Sequence, residues 1–175
     1  MDIKDYIRSI QDYPKKGILF RDITTLIKNE NAFTQCIDDI VKKSKKFEFN
    51  KIAAMESRGF VFASAVSYIL KKPFILLRKK NKLPAETHSI DFELEYGTAT
   101  MEVHKDSIEE NDNVLLIDDL IATGGTAEAA AKLIEMSKGK VAGFIFVINL
   151  FDLGGCDQLI KKNYKVENLI EFPGH

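Results

Sequence analysis

Apolar residues along this chain recur with two different periods, and the switching between them sets out the elements. Ile3, Tyr6, Ile7 and Ile10 fall at helical spacing. They predict a short amphipathic helix that ends before Pro14, because a proline holds the residue ahead of it out of the helical region. Phe33, Cys36, Ile37, Ile40 and Val41 form a second helical stripe, followed by Lys42, Lys43, Lys45 and Lys46 as a solvated tail. Elsewhere the apolar residues come in short unbroken runs, at 51–55, 73–77, 114–117 and 141–150. A run without polar alternation is what a strand buried on both faces looks like, as in a parallel sheet. Helical stretches follow at 60–70, 127–134 and 156–162, and 166–172 predicts an edge strand. The alternation argues for an α/β fold, a mainly parallel twisted sheet with helices on both faces and its sites at the strand C-termini.

Two stretches break the pattern. Residues 13–23 (YPKKGILFRDI) carry Pro14 and Gly17 and read as irregular, yet they hold Ile18, Leu19 and Phe20. A flap packing on the core would account for this apolar weight. So would a purine-sized pocket, which needs an aromatic face and backbone donors and acceptors. Residues 89–98 are acidic, contain a turn, and lead into the β-prone TATMEV. They predict a two-stranded excursion, either an ordinary hairpin or a flexible lid that shuts water out during transfer chemistry.

Length and composition narrow the class. At 175 residues and 45% hydrophobic, with no repeat, low-complexity stretch or linker, the chain reads as a single domain over 1–175. A net charge of −1 gives no basic field for nucleic acid, and no apolar run reaches membrane-span length. Cys36 and Cys156 are the only cysteines, and Cys36 falls on an apolar helix face. Few cysteines and an N-terminus without signal-peptide character lead us to expect a cytoplasmic setting. His88, His104 and His175 lack metal-ligand spacing.

The chemistry concentrates in 114–126, VLLIDDLIATGGT. A buried strand runs into Asp118 and Asp119, then a small turn (Ala122, Thr123, Gly124, Gly125, Thr126) opens a helix. Helix N-termini offer unpaired N–H groups and a positive dipole end, which favour a phosphate. Glycines let the backbone approach it. Two carboxylates want another partner, either sugar hydroxyls or Mg²⁺ directly or through water. A sugar phosphate satisfies both halves, although an acidic pair can also be a mere polar strand end. No Lys follows the glycines as a P-loop requires, and G-x-G-x-x-G is absent. Glu56, Ser57, Arg58 and Gly59 repeat the strand–turn–helix arrangement and predict a second anion site. Arg78, Lys79, Lys80 and Lys82 follow another strand, as a solvated loop or as partners of a polyphosphate at the active edge.

The 114–126 block resembles the phosphoribosyl-diphosphate (PRPP) motif of the type I phosphoribosyltransferases. YPKKGILFRDIT, MESRGF, LLRKKNKLP and ELEYG precede it in order, so that nearly the whole chain is similar to the adenine-using branch of that family. The resemblance implies the type I phosphoribosyltransferase fold, with an N-terminal base-binding flap over about 1–30 and a lid over about 85–103. It implies transfer of the phosphoribosyl group from PRPP to adenine, giving AMP and diphosphate, in a homodimer. Mg²⁺ would be carried by PRPP or diphosphate, with no direct protein ligand and with Asp118 and Asp119 acting at most through water. The amides of Ala122, Thr123, Gly124, Gly125 and Thr126 would cradle the 5′-phosphate, and Asp118 and Asp119 would engage the ribose. Ser57 and Arg58 would meet the diphosphate, joined by Arg78 and by Lys82 from the facing subunit. Phe20 would stack on the base while backbone groups of Leu19 and Arg21 read its edge. Glu95, with Tyr96, would close over the reacting centre as general acid/base. Two departures stand out, Glu56 where Asp is common and Ala85 after Pro84, neither expected to touch a group assigned to chemistry. Two other functions remain open: a phosphoribosyltransferase for a 6-oxo purine, and a non-catalytic PRPP sensor. The first would want a Lys near O6, which GILFRD does not offer, and the second a DNA-binding module, of which no pattern occurs.

Overall fold

The computed structural model describes residues 1–94 and 97–175. The chain opens with one 3₁₀ turn, Ile3–Tyr6, and then strand β1 (Arg8–Gln11), paired antiparallel with β2 (Leu19–Asp22). The helix expected through Ile10 is therefore a single turn, and the segment expected to be irregular is half strand. A nucleus of one turn propagates poorly. Pairing Ile10 with Phe20 and Ser9 with Arg21 satisfies the backbone instead. The helix α1 (Thr24–Ile27) leads to α2 (Glu30–Ser44), whose first turn is capped by Asn29 accepting the Ala32 N–H at 2.9 Å. The lysine tail of α2 is only partly solvated, because Lys43 and Lys46 both pair with Glu167, at 3.1 and 2.6 Å.

From there the expected βα alternation holds, with β3 (Lys51–Met55), α3 (Arg58–Leu70), β4 (Phe74–Lys79), β5 (Thr87–Leu94) and β6 (Gly97–His104). These are followed by β7 (Asn113–Ile121), α4 (Gly125–Met136), β8 (Lys140–Leu150), α5 (Gly155–Lys161) and the edge strand β9 (Val166–Phe172). One seven-stranded sheet runs in the order β5-β6-β4-β3-β7-β8-β9. The pairs β4–β3, β3–β7, β7–β8 and β8–β9 are parallel, and β6 joins antiparallel to both β4 and β5.

Side chains alternate across a strand, and β7 divides its apolar run between two cores. Leu115 and Ile117 face Cys36, Ile40, Phe62 and Val66 of α2 and α3. Val114 and Leu116 face Ala130, Leu133 and Ile134 of α4. The strand is buried on both faces, as its composition predicts. Its acidic pair belongs to the strand itself, which continues to Ile121. At the N-terminal ends of the strands Asp112 joins Lys51 Nζ at 2.7 Å and accepts from Asn50 Nδ2 at 2.8 Å, fastening β7 beside β3. Among the described residues no helix is long and apolar enough to cross a membrane.

Candidate active site

Parallel strands deliver their C-terminal ends to one edge, so β3 and β7 bring their following turns together. Between them lies a cavity of about 280 Å³, lined by Ser57, Arg58, Asp118, Asp119 and the turn Ala122, Thr123, Gly124, Gly125 and Thr126. Glu56, Ile121 and Phe146 complete much of its wall. Two helices point their N-termini at this space, α3 from Arg58 and α4 from Gly125. Ser57, ahead of α3, makes no side-chain capping bond, and Gly124, ahead of α4, has no side chain to make one. The helix-end amides are therefore left for an anion.

Gly124 shows why that turn is glycine. Its φ is 92°, and a Cβ there would sit 3.1 Å from Gly155 Cα. The second support is Gly155 itself, whose N–H donates to the Ala122 carbonyl at 3.1 Å.

The acidic pair is asymmetric. Asp118 Oδ1 accepts the Asp119 N–H at 2.8 Å. Burial, and next the charge of Asp119, push the Asp118 carboxyl well above its ordinary range. Asp119 Oδ2 lies 3.0 Å from Arg58 Nε, yet out of line, so this buried oxygen has no hydrogen-bond partner. It remains available to a hydroxyl or a hydrated cation. Among the described residues no cluster of three or more His, Cys, Asp or Glu is disposed to hold a metal.

Around this centre the other expected residues divide. Arg58 Cζ lies 5.4 Å from the Phe20 ring centroid, so the guanidinium spans from the aromatic face to Asp119. Tyr13 meets Phe20 edge-on at 5.1 Å. Leu19 and Phe20 are half-buried, but the Arg21 side chain turns into the protein, only 7% exposed. Arg78 lines an adjoining cavity of about 430 Å³ that shares Met55, Glu56 and Thr126 with the first. Lys82 is exposed and lines neither. The assignments to Glu95 and Tyr96 lie outside the described residues.

One expectation fails. Glu56 does touch a group assigned to chemistry, for its Oε1 lies 3.3 Å from Arg78 Nε and accepts the Lys79 N–H at 2.6 Å. Burial works against its charge, but the Lys79 N–H and the Arg78 guanidinium outweigh that and hold the carboxyl below its usual range. The signal was the strand register: Met55 stands opposite Leu77, so the next residues, Glu56 and Arg78, are neighbours. Gly59, expected only as part of the second anion turn, has a steric role as well. A Cβ there would lie 2.7 Å from Asp118 Oδ1, so α3 can approach the carboxylate only because the residue is glycine.

A doubly wound sheet carries here a strand–acidic pair–glycine turn–helix block that faces a second helix N-terminus, and the chain belongs to the phosphoribosyl transferase domain family, whose model matches residues 22–172. Within that family it is 76% identical, over all of both chains, to the adenine phosphoribosyltransferase of Pelagibacter ubique. The crystal structure of adenine phosphoribosyltransferase from Thermoanaerobacter pseudethanolicus superposes with a TM-score of 0.93 at 46% identity, covering 97% of this chain and 98% of the other. The Saccharomyces cerevisiae enzyme, solved with an imino-altritol bisphosphate and adenine, gives a TM-score of 0.88 at 32% identity over 96% of each chain.

Proposed function

We propose that this chain is an adenine phosphoribosyltransferase, converting adenine and PRPP to AMP and diphosphate. The observation that carries the reading is the shared cavity. A glycine turn at one helix N-terminus, an acidic pair and a second helix N-terminus face one another across it, with an aromatic ring reached over Arg58. The names of its relatives supply adenine as the base.

In this reading the amides of 122–126 hold the 5′-phosphate, and Asp118 and Asp119 hold the ribose hydroxyls. Departure of diphosphate leaves positive charge on the ribosyl carbon, and two carboxylates preset beside it stabilise that charge without reorganising. Ser57 and Arg58 receive the leaving diphosphate, with Arg78 steered by Glu56. Phe20 stacks on adenine while backbone groups of Leu19 and Arg21 read its edge, which fixes N9 for in-line attack. Glu95 with Tyr96 takes the proton that adenine loses. Residues 1–30 form the base-binding flap and 85–103 the lid. The orphaned Asp119 Oδ2 fits a hydrated Mg²⁺ brought in with PRPP; such an ion would supply charge neutralisation at the diphosphate. The outer face of α3 exposes Val61, Tyr68 and Ile69, with Leu76 beside them on β4. We assign that face to a second copy of the chain, into whose site Lys82 would reach, since Lys82 lines neither of the two cavities at this edge of its own chain. Light scattering of the purified protein tests the dimer.

Incubation with PRPP, Mg²⁺ and each purine base separately tests the activity. AMP with diphosphate is the expected product. Formation of IMP or GMP without AMP would overturn the choice of base. Tight PRPP binding with no diphosphate released at saturation would make the protein a sensor.

A further inference from the structure

The β1–β2 pair is a two-stranded sheet of its own, not part of the main sheet. Isolated hairpins are marginal in water, so this one depends on what its side chains grip. Phe20 and Arg21 leave opposite faces of β2. Phe20 faces Arg58 and Tyr13, whereas Arg21 is buried against residues 172–174. Its guanidinium lies 4.4 Å from the Phe172 ring centroid and donates to the Pro173 carbonyl at 2.9 Å, while a second nitrogen donates to Ser9 Oγ on β1.

The same short segment is keyed in on its other side. The Gly174 N–H donates to Asp152 Oδ1 at 2.6 Å. A Cβ on Gly174 would lie 2.6 Å from Leu153 Cγ. Asp152 and Leu153 belong to a 3₁₀ turn, Phe151–Leu153, which leads through Gly154 into Gly155, the residue under the Ala122 carbonyl of the phosphate turn. Residues 172–174 therefore link the hairpin that carries Phe20 to the turn that supports the phosphate anchor.

We infer that the segment Phe172, Pro173 and Gly174, clasped between Arg21 and Asp152, is a positioning element that holds the Phe20 hairpin over the site and so sets the affinity for the base. This rests on the reading of Phe20 as the base platform. Asp152 is exposed and, among the described residues, its hydrogen bond goes to Gly174 and to no assigned site residue, which makes it the handle. The experiment compares Asp152→Ala, Asp152→Asn, Gly174→Val and Phe20→Ala by steady-state kinetics and by amide hydrogen exchange over 19–22. Asp152→Ala is expected to raise the KM for adenine about twofold to tenfold, the effect of one lost hydrogen bond, leaving the KM for PRPP in place. Exchange over 19–22 should quicken. Asp152→Asn keeps an acceptor oxygen and should behave as wild type, and Gly174→Val should exceed Asp152→Ala. If Phe20→Ala leaves the adenine KM unchanged, the base-platform reading fails. If Phe20→Ala raises it while Asp152→Ala and Gly174→Val do not, the clasp is refuted. Equal rises in both KM values, or an Asp152→Asn variant as impaired as Asp152→Ala, would reduce the segment to general support and also refute it.

Discussion

Replacing Gly59 by alanine tests whether the position of Asp118 is set by the helix across from it. The added methyl would sit 2.7 Å from Asp118 Oδ1, 3.2 Å from the Ile117 carbonyl oxygen and 3.5 Å from Ala54 Cβ. Non-bonded heavy atoms prefer about 3.5 Å or more, so something must give by roughly half an ångström or more. Ile117 and Ala54 belong to the central strands β7 and β3, where Ile117 pairs with Ile145 of β8 and Ala54 with Leu76 of β4, so neither backbone moves without its neighbour. The carboxylate is the softer partner. It rotates away and loses the Asp119 N–H that it accepts at 2.8 Å.

Two stability effects oppose one another. Alanine gains up to about 1 kcal/mol over glycine in a helix, and overpacking costs about 1–3 kcal/mol. The net loss is at most about 2–3 kcal/mol, a fall in Tm of up to roughly 10 °C at this chain length. Activity should suffer more, because a misplacement near 1 Å at a reacting centre costs on the order of 10²-fold. The expected result is a folded enzyme with kcat reduced about 10- to 100-fold. Initial rates of diphosphate release, read beside a thermal melt, separate the two effects. Wild-type kcat in a folded Gly59→Ala protein would refute the argument that Gly59 positions the carboxylate. A loss of activity matching the unfolded fraction at the assay temperature would refute it equally.

Asp118→Asn should lower kcat by about 10²-fold or more while leaving the fold at least as stable, since removing preset charge from a transition state has costs of that order. The sign for pH follows from burial: the folded protein binds the Asp118 proton more tightly than the unfolded chain, so the group is least costly below an ordinary carboxylate pKa of about 3.9 and destabilises as pH rises through its raised folded value. The stability difference between Asp118→Asn and wild type should accordingly widen from pH 4 to pH 7, as measured by denaturant titration. Asp112 runs the other way. Burial opposes its charge, but Lys51, the Glu109 N–H and Asn50 together hold its pKa down, so its contribution is present at neutral pH and fades as pH falls through the depressed value. Asp112→Ala should cost about 3 kcal/mol, because it leaves the Lys51 ammonium only the Ser107 carbonyl among the described residues, while kcat per folded molecule stays unchanged. Chelation with EDTA should abolish diphosphate release, leave Tm in place, and be reversed by added Mg²⁺.

How far the sequence disclosed this arrangement depended on the range of the interactions. The β7–α4 block was legible because each feature is local: an unbroken apolar run, two acids and a glycine pair within 114–126. The N-terminal hairpin was not. Ile3, Ile7 and Ile10 satisfy a helical period, and only pairing with 19–22 selects the strand. Glu56 was expected to stand clear of the chemistry because its partner Arg78 becomes a neighbour only through the parallel register of β3 with β4. Residues 172–174 carry no period at all. What they contribute is one ring under Arg21, a backbone carbonyl, a backbone N–H and a missing Cβ, none of which sets a pattern along the chain. The tie of Lys43 and Lys46 to Glu167 was hidden likewise, since it needs α2 packed across β9.

The way each part is held explains where conservative and adjustable functions can sit. The phosphate turn stands at the end of a central strand that pairs with β8 as far as Ile121, and it is propped from beneath by Gly155, so its geometry is fixed by the main sheet. Changing it would mean changing the core. Phe20 instead rides on a separate hairpin, braced across its own two strands by Arg8 on Asp22 and held to the body by Arg21 on Pro173. The match to the general phosphoribosyl transferase domain begins at residue 22, just past that ring. An element attached so sparingly can be altered with little disturbance to the sheet. Base selection on the hairpin and sugar-phosphate chemistry on the sheet are thereby mechanically separable, and the clasp at 172–174 is where the two are joined.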